Sequence, residues 1–141
     1  MSANTENCGV VYKSKCFRAI VYDKRNVTLG VAESLCKNKL ANIYDITHLN
    51  KLKNYLRTMI PGGRRNMWVR TGMTYENDNL YLTNGTDVSL PSKVWYPGHL
   101  SSMASSTNVV LLVDRDPEFE QGIYNFSPNW SYHGAICENE I

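Results

Sequence analysis

Residues 45–73 read DITHLNKLKNYLRTMIPGGRRNMWVRTGM. The first half has the helical period: Leu49, Leu52, Leu56 and Met59 or Ile60 recur three or four residues apart and share one stripe. Asp45 or Thr47 can cap that helix, because a side-chain oxygen there accepts from a backbone N–H that has no intrahelical partner. Pro61-Gly62-Gly63 ends it, since proline inside a helix loses one hydrogen bond and clashes with the preceding turn. Beyond Gly63 the pattern is that of a strand, NMWVRTGM. A helix handing over to strands across a Pro-Gly-Gly stop sets an α+β order.

On the N-terminal side, CGVVYKSKCFRAIVY (residues 8–22) alternates apolar and polar residues about a Lys-Ser-Lys turn and reads as strand material closed by Cys8 and Cys16. NVTLGVAESLCKNKL (26–40) reads as a first helix, capped by Asn26 or Thr28, with Leu29, Ala32, Leu35 and Cys36 on one face. LANIYD is an extended link between the helices. On the C-terminal side, LYLTNGTDVSL holds Asn84-Gly85, a hairpin turn whose residues both tolerate positive φ. NVVLLV is a buried strand, DRDPEFEQG a solvated acidic turn with Arg115 among its carboxylates, and IYNF and GAICE are closing strands. Between Leu90 and Asn108 runs a long excursion with little periodicity, of the kind that is functional or mobile in compact domains. Residues 1–7 read as an N-terminal tail or expression remnant, and residues 8–141 as a single domain.

Composition narrows the function. The net charge of +2, from 15 basic and 13 acidic residues, is too balanced for nucleic acid to be the main partner. No apolar run approaches the ~20 residues of a membrane span. The four cysteines, Cys8, Cys16, Cys36 and Cys137, show no Cys-x-x-Cys spacing and allow three pairings. A near pair plus one long closure would restrict the unfolded chain most, by roughly 3–5 kcal/mol. Four sequons begin at Asn26, Asn84, Asn125 and Asn129, although Pro128 hinders the third. Together these favour an extracellular chain, secreted or the ectodomain of a membrane protein.

The same residues resemble a C-type lectin-like domain of the long form, over Cys8 to Glu138. VTLGVAESLCKNKLANI resembles that family's first helix, MWVRTGM its Trp-Ile-Gly-Leu strand with Val69 and Arg70 replacing Ile and Gly, VWYPGHL the opening of its long loop, and AICE its closing Ile-Cys-Glu. The resemblance implies two helices, two small antiparallel sheets, a long irregular loop, and disulfides Cys8–Cys16 and Cys36–Cys137. A further cysteine pair common in the family falls on Asn108 and Asn129, so the loop there is either more mobile or held by these amides. Trp68 and Trp95 resemble core residues.

Sugar-binding members of that family hold calcium with Glu-Pro-Asn or Gln-Pro-Asp in the loop and Asn-Asp on the next strand. Here these positions carry His99-Leu100-Ser101 and Tyr124-Asn125-Phe126. Calcium takes about 6–8 oxygens, several from carboxylates, and imidazole suits it poorly. No metal and no cofactor are therefore expected. The ligand-binding face is assigned to Tyr96, His99, Met103, Tyr124, Asn125, Trp130 and Tyr132, with His133 close by, because aromatic residues and methionine are enriched in binding surfaces. Arg64, Arg65 and Arg70 form a candidate anion-binding group for a sulfated glycan or acidic protein, set against a plain exposed turn. His48, His99 and His133 are scattered, with His48 expected on a helix surface, and no nucleophile motif appears, so catalysis is not expected. The sequence thus favours calcium-independent recognition of a protein on a cell or matrix surface. The alternatives are a calcium-independent lectin for anionic sugars and a structural matrix or coat component. A homodimer stays open, since related domains often dimerise.

Overall fold

The computed structural model describes residues 8–95, 105–119 and 121–141. Tyr96, His99 and Met103 lie outside them. The chain runs β1 (Val10–Tyr12), β2 (Lys15–Val21), α1 (Leu29–Leu35), α2 (Ile46–Arg57), β3 (Asn66–Glu76), β4 (Asn79–Tyr81), β5 (Asp87–Val88), a 3-10 turn (Ser92–Val94), β6 (Asn108–Asp114), β7 (Gly122–Phe126) and β8 (Gly134–Glu140).

The two ends of the chain pair. β2 and β8 run antiparallel from Lys15 opposite Glu140 to Val21 opposite Gly134. β6 joins β3 and β7 antiparallel, and β3 carries the β4–β5 hairpin. The expected antiparallel groups meet along a short parallel pairing, Val69 with Gly134 and Arg70 with Ala135, so the strands form one curled mixed sheet. Gly134 is required at this seam: a Cβ there would lie 2.3 Å from the Ile20 carbonyl oxygen.

Both disulfides implied by the resemblance are formed, Cys8–Cys16 and Cys36–Cys137. The second lies in a small core with Val27, Ala32, Leu40 and Ala135, packed by α1. Thr28 caps α1, its hydroxyl accepting from Val31 N at 3.2 Å. α1 is shorter than the sequence pattern suggests, because Lys37 and Asn38 take φ of 53° and 62° and turn the chain toward β8. Asp45 caps α2, accepting from His48 N at 2.8 Å. Leu49, Leu52, Leu56 and Ile60 bury against Met67, Val69, Met73, Val109, Leu111, Val113 and Ile123 on the inner side of the sheet, which forms the main core.

Two surface expectations are corrected. His48 is buried, not exposed: it precedes the leucine stripe by one position, and its ring stacks on Tyr12 with centroids 4.7 Å apart. Its Nδ1 accepts from Tyr44 N at 3.1 Å, and its Nε2 has no partner among the described residues. Asp114 is only 1% exposed and pairs with Arg65 at 3.2 Å, while Arg115 donates instead to the carbonyls of Ile60, Pro61 and Arg64. The acidic turn is therefore wet only beyond Asp114.

Gly134→Ala is expected to cost about 2–4 kcal/mol in urea unfolding, because backbone rather than a flexible side chain fills the space. Burial pushes the His48 pKa down from 6.5 to about 4. The unfolded chain then binds more protons between these values, so stability present above pH 6.5 is lost as pH falls toward 4. Urea unfolding across that range is expected to show up to about 3 kcal/mol from this histidine, and His48→Gln to reduce the slope there without abolishing it, since buried His133 titrates over the same range.

Candidate recognition face

Strand alternation decides which side chains can meet a ligand. Successive side chains of a strand point to opposite sides of the sheet. On β3, β6 and β7 the inner side carries Met67, Val69, Val109, Leu111, Ile123 and Asn125. The outer side carries Trp68, Arg70, Asn108, Val110, Leu112, Tyr124 and Phe126, with Arg70 opposite Val110 and Val110 opposite Tyr124. Tyr124 and Asn125 therefore cannot share a face. Asn125 is fully buried, its amide donating to the Ser106 carbonyl at 3.0 Å, which corrects its expected place on the ligand face and as an accessible sequon.

The outer side is an aromatic stack. Tyr124 and Phe126 lie 4.4 Å apart at 15°, and Phe126 and Trp130 4.9 Å apart at 20°. Trp68 meets Tyr124 and Phe126 edge-on at 5.2 and 5.4 Å, so it is a half-buried member of this face rather than a core residue. Trp130 is 51% exposed and forms the outer end of the stack. Phe126 and Trp68 were not among the candidate residues, although a period of two counted from Tyr124 selects Phe126 at once.

Beneath the stack lies Arg70, fully buried and, among the described residues, without a carboxylate hydrogen-bonded to it. Its guanidinium donates to the Asn108 side-chain oxygen, to Val27 O at 3.3 Å and to Pro128 O at 3.4 Å, and it lies 4.7 Å from the Tyr132 ring centre. Burial lowers its pKa from the usual arginine value. The resemblance puts the further cysteine pair of the family at Asn108 and Asn129. A single guanidinium clasps these two segments, rather than the two asparagine amides bonding each other.

Tyr132 is buried as well, paired with Val27 through reciprocal backbone bonds of 3.0 and 2.9 Å. Burial raises its pKa to about 12, although Arg70 and Arg25 oppose this. The Arg25 guanidinium lies 5.8 Å from its ring centre, on the exposed side chain of Arg25. His133 is buried behind Trp68, its Nδ1 accepting from Trp68 N at 3.1 Å, and burial, with help from Arg64 and Arg25, pushes its pKa down to about 4. Tyr132 and His133 thus support the face from within, and neither is a surface contact as expected.

The candidate anion group is dispersed among different tasks. Arg70 is buried, Arg65 holds Asp114 and lies 3.8 Å over the Phe119 ring, and the Arg64 Nε is buried without a partner among the described residues. Among the described residues, no three His, Cys, Asp or Glu side chains gather as a metal set would. Asn26, Asn84 and Asn129 are exposed.

No family model matches the sequence, and no curated protein matches it. The backbone is nevertheless similar to many solved structures. Human lithostathine superposes with a TM-score of 0.70 at 18% identity, over 99% of this chain and 92% of that one. The cow C-type carbohydrate-recognition domain of CD23, crystallised in the presence of GlcNAc2Man3 oligosaccharide, gives 0.65 at 14%, over 100% and 98%. A calcium-independent type II antifreeze protein gives 0.61 at 18%, over 93% and 90%. The chain has the C-type lectin-like fold. Within that C-type lectin-like frame, Arg70 stands where the family strand carries glycine, which is how a long cation reaches the space beneath the loop-bearing strands.

Arg70→Lys is expected to destabilise the domain by about 2–4 kcal/mol in urea unfolding, because one ammonium cannot match the forked donors that reach three separated oxygens.

Proposed function

We propose that this domain is a non-catalytic extracellular recognition module that binds a protein on a cell or matrix surface without calcium. The face is formed by Tyr124, Phe126 and Trp130, edged by Arg25, and the sequence adds Tyr96, His99 and Met103, which lie outside the described residues. The observation that carries the reading is the stack itself: three near-parallel rings, held on a rigid sheet, ending in a half-exposed tryptophan. Preorganised aromatic residues lose little entropy on binding and dominate the energetics of protein interfaces.

Absence of calcium chemistry is supported by the ligands at hand. His99-Leu100-Ser101 supplies no carboxylate, and Asn125 has turned inward to bond Ser106. Two disulfides and three exposed sequons support an extracellular setting. A non-catalytic role is supported by His48 and His133, which are buried and held neutral at physiological pH.

Fluorescently labelled tetramers of the domain, applied to a panel of cell surfaces, test this. Binding is expected to survive a calcium chelator and enzymatic removal of glycans from the cells. Trp130→Ala is expected to weaken it at least tenfold, about 1.4 kcal/mol or more, with little change in thermal midpoint. Loss with chelator would overturn the metal-free reading. Loss on deglycosylation of the cells would transfer the domain to the lectin class, and an unchanged Trp130→Ala variant would move the site elsewhere.

A further inference from the structure

We propose that Asn129 is an N-glycosylation site whose first sugar lies on the Phe126–Trp130 stack and covers the recognition face, so that occupancy of this one sequon sets whether the face is open. The covering clause rests on the reading of that stack as the binding surface; the modification and the placement of the sugar do not.

Two sequons overlap in NFSPNWS, residues 125–131, and the fold discriminates between them. The first acceptor, Asn125, is fully buried on the inner side of β7 with its amide bonded to Ser106 O, and Pro128 follows its triplet. The second, Asn129, is exposed at a turn in which Asn129 N donates to Ser127 Oγ at 3.3 Å and Trp130 N donates to Ser127 O at 3.2 Å. That turn folds the chain back, and this is why Trp130, four residues beyond Phe126, stacks on it at 4.9 Å. Asn129 therefore lies in the turn that joins the two members of a stacked aromatic pair, next in sequence to Trp130. A pyranose has an apolar C–H side that packs on aromatic faces, and the half-exposed indole of the neighbouring residue Trp130 offers such a face beside this turn.

The reaction is a glycosyl transfer with no change in oxidation state. The Asn129 side-chain nitrogen attacks the anomeric carbon of the reducing-end N-acetylglucosamine of a lipid-linked oligosaccharide diphosphate. The bond from that carbon to the phosphate oxygen breaks, the lipid diphosphate leaves with the electron pair, and the nitrogen gives one proton to a base of the transferase. Ser131 supplies the hydroxyl two residues on that the triplet requires.

The whole chain, secreted from a eukaryotic host and trimmed enzymatically to one N-acetylglucosamine per site, tests the proposal. Peptide mass spectrometry is expected to place one sugar on Asn129 and none on Asn125, with Asn84 as the control that the chain met the transferase. An occupied Asn84 with an empty Asn129 would overturn the assignment. The trimmed protein is expected to melt about 2–4 °C above Ser131→Ala, and this difference to vanish in a Phe126→Ala background. An equal difference with and without Phe126 would overturn the placement of the sugar. In the cell-surface assay, Ser131→Ala is expected to bind at least about tenfold better than the fully glycosylated chain. Equal binding would overturn the covering. Binding by neither form would overturn the recognition reading and the covering with it, while the mass and melting results would still decide whether a sugar sits on the stack.

Discussion

The buried guanidinium of Arg70 is the interaction on which the outer half of the domain depends. It sits on the parallel seam between β3 and β8 and reaches outward to Val27, Asn108 and Pro128, three points far apart in sequence. A buried charge that no carboxylate among the described residues hydrogen-bonds is costly unless its donors are satisfied, so the segments bearing those oxygens are held where the cation needs them. Val27 leads into α1, Asn108 begins β6, and Pro128 begins the turn that carries Trp130. The Tyr132 ring closes the site from above. One side chain thus orients the first helix, the strand that follows the long loop and the turn of the aromatic face, across the gap between Asn108 and Asn129.

The candidate recognition face follows from that anchoring and from the pleat. With Arg70 and Trp68 on the outer side of β3, the register through β6 places Tyr124 and Phe126 on the same side of β7. Pro128 O bonding to Arg70 then fixes the return of the chain, and Trp130 completes the stack. The half-exposed indole is consequently not a stray apolar residue. It is the end of a ladder whose lower members are half-buried and whose base is the seam of the sheet.

Much of this architecture was legible in the sequence. The leucine stripe of α2, the Pro-Gly-Gly stop, the Asn-Gly hairpin and the β-branched run of β6 are local patterns with local causes, and each produced the expected element. The candidate site was less legible because its membership depends on pairing. Tyr124 and Trp130 were visible as aromatic residues near the loop, but whether Asn125 or Phe126 joined them depends on which side of β7 meets α2, a register property. His48 and Asp114 were misplaced for a related reason. Both are polar residues held inward by tertiary partners, among them the Tyr12 ring and the Arg65 guanidinium, and those two lie 36 and 49 residues away in sequence.

The arginine also bears on the metal question. In the sugar-binding members that this fold resembles, a cation gathers oxygens from the loop and the strand after it. In this chain a cation still gathers oxygens from the segments on either side of that region, but it is covalently part of β3 and sits beneath the surface, with no coordination position open to a ligand. A calcium ion would leave vacant sites for sugar hydroxyls, whereas Arg70 spends its donors inside the protein. Among the described residues of this region, the aromatic stack that the arginine positions reaches the surface. On the reading proposed for this face, recognition proceeds through ring faces, shape and the flanking charge of Arg25, which favours a partner with an apolar contact patch over one that presents only vicinal hydroxyls.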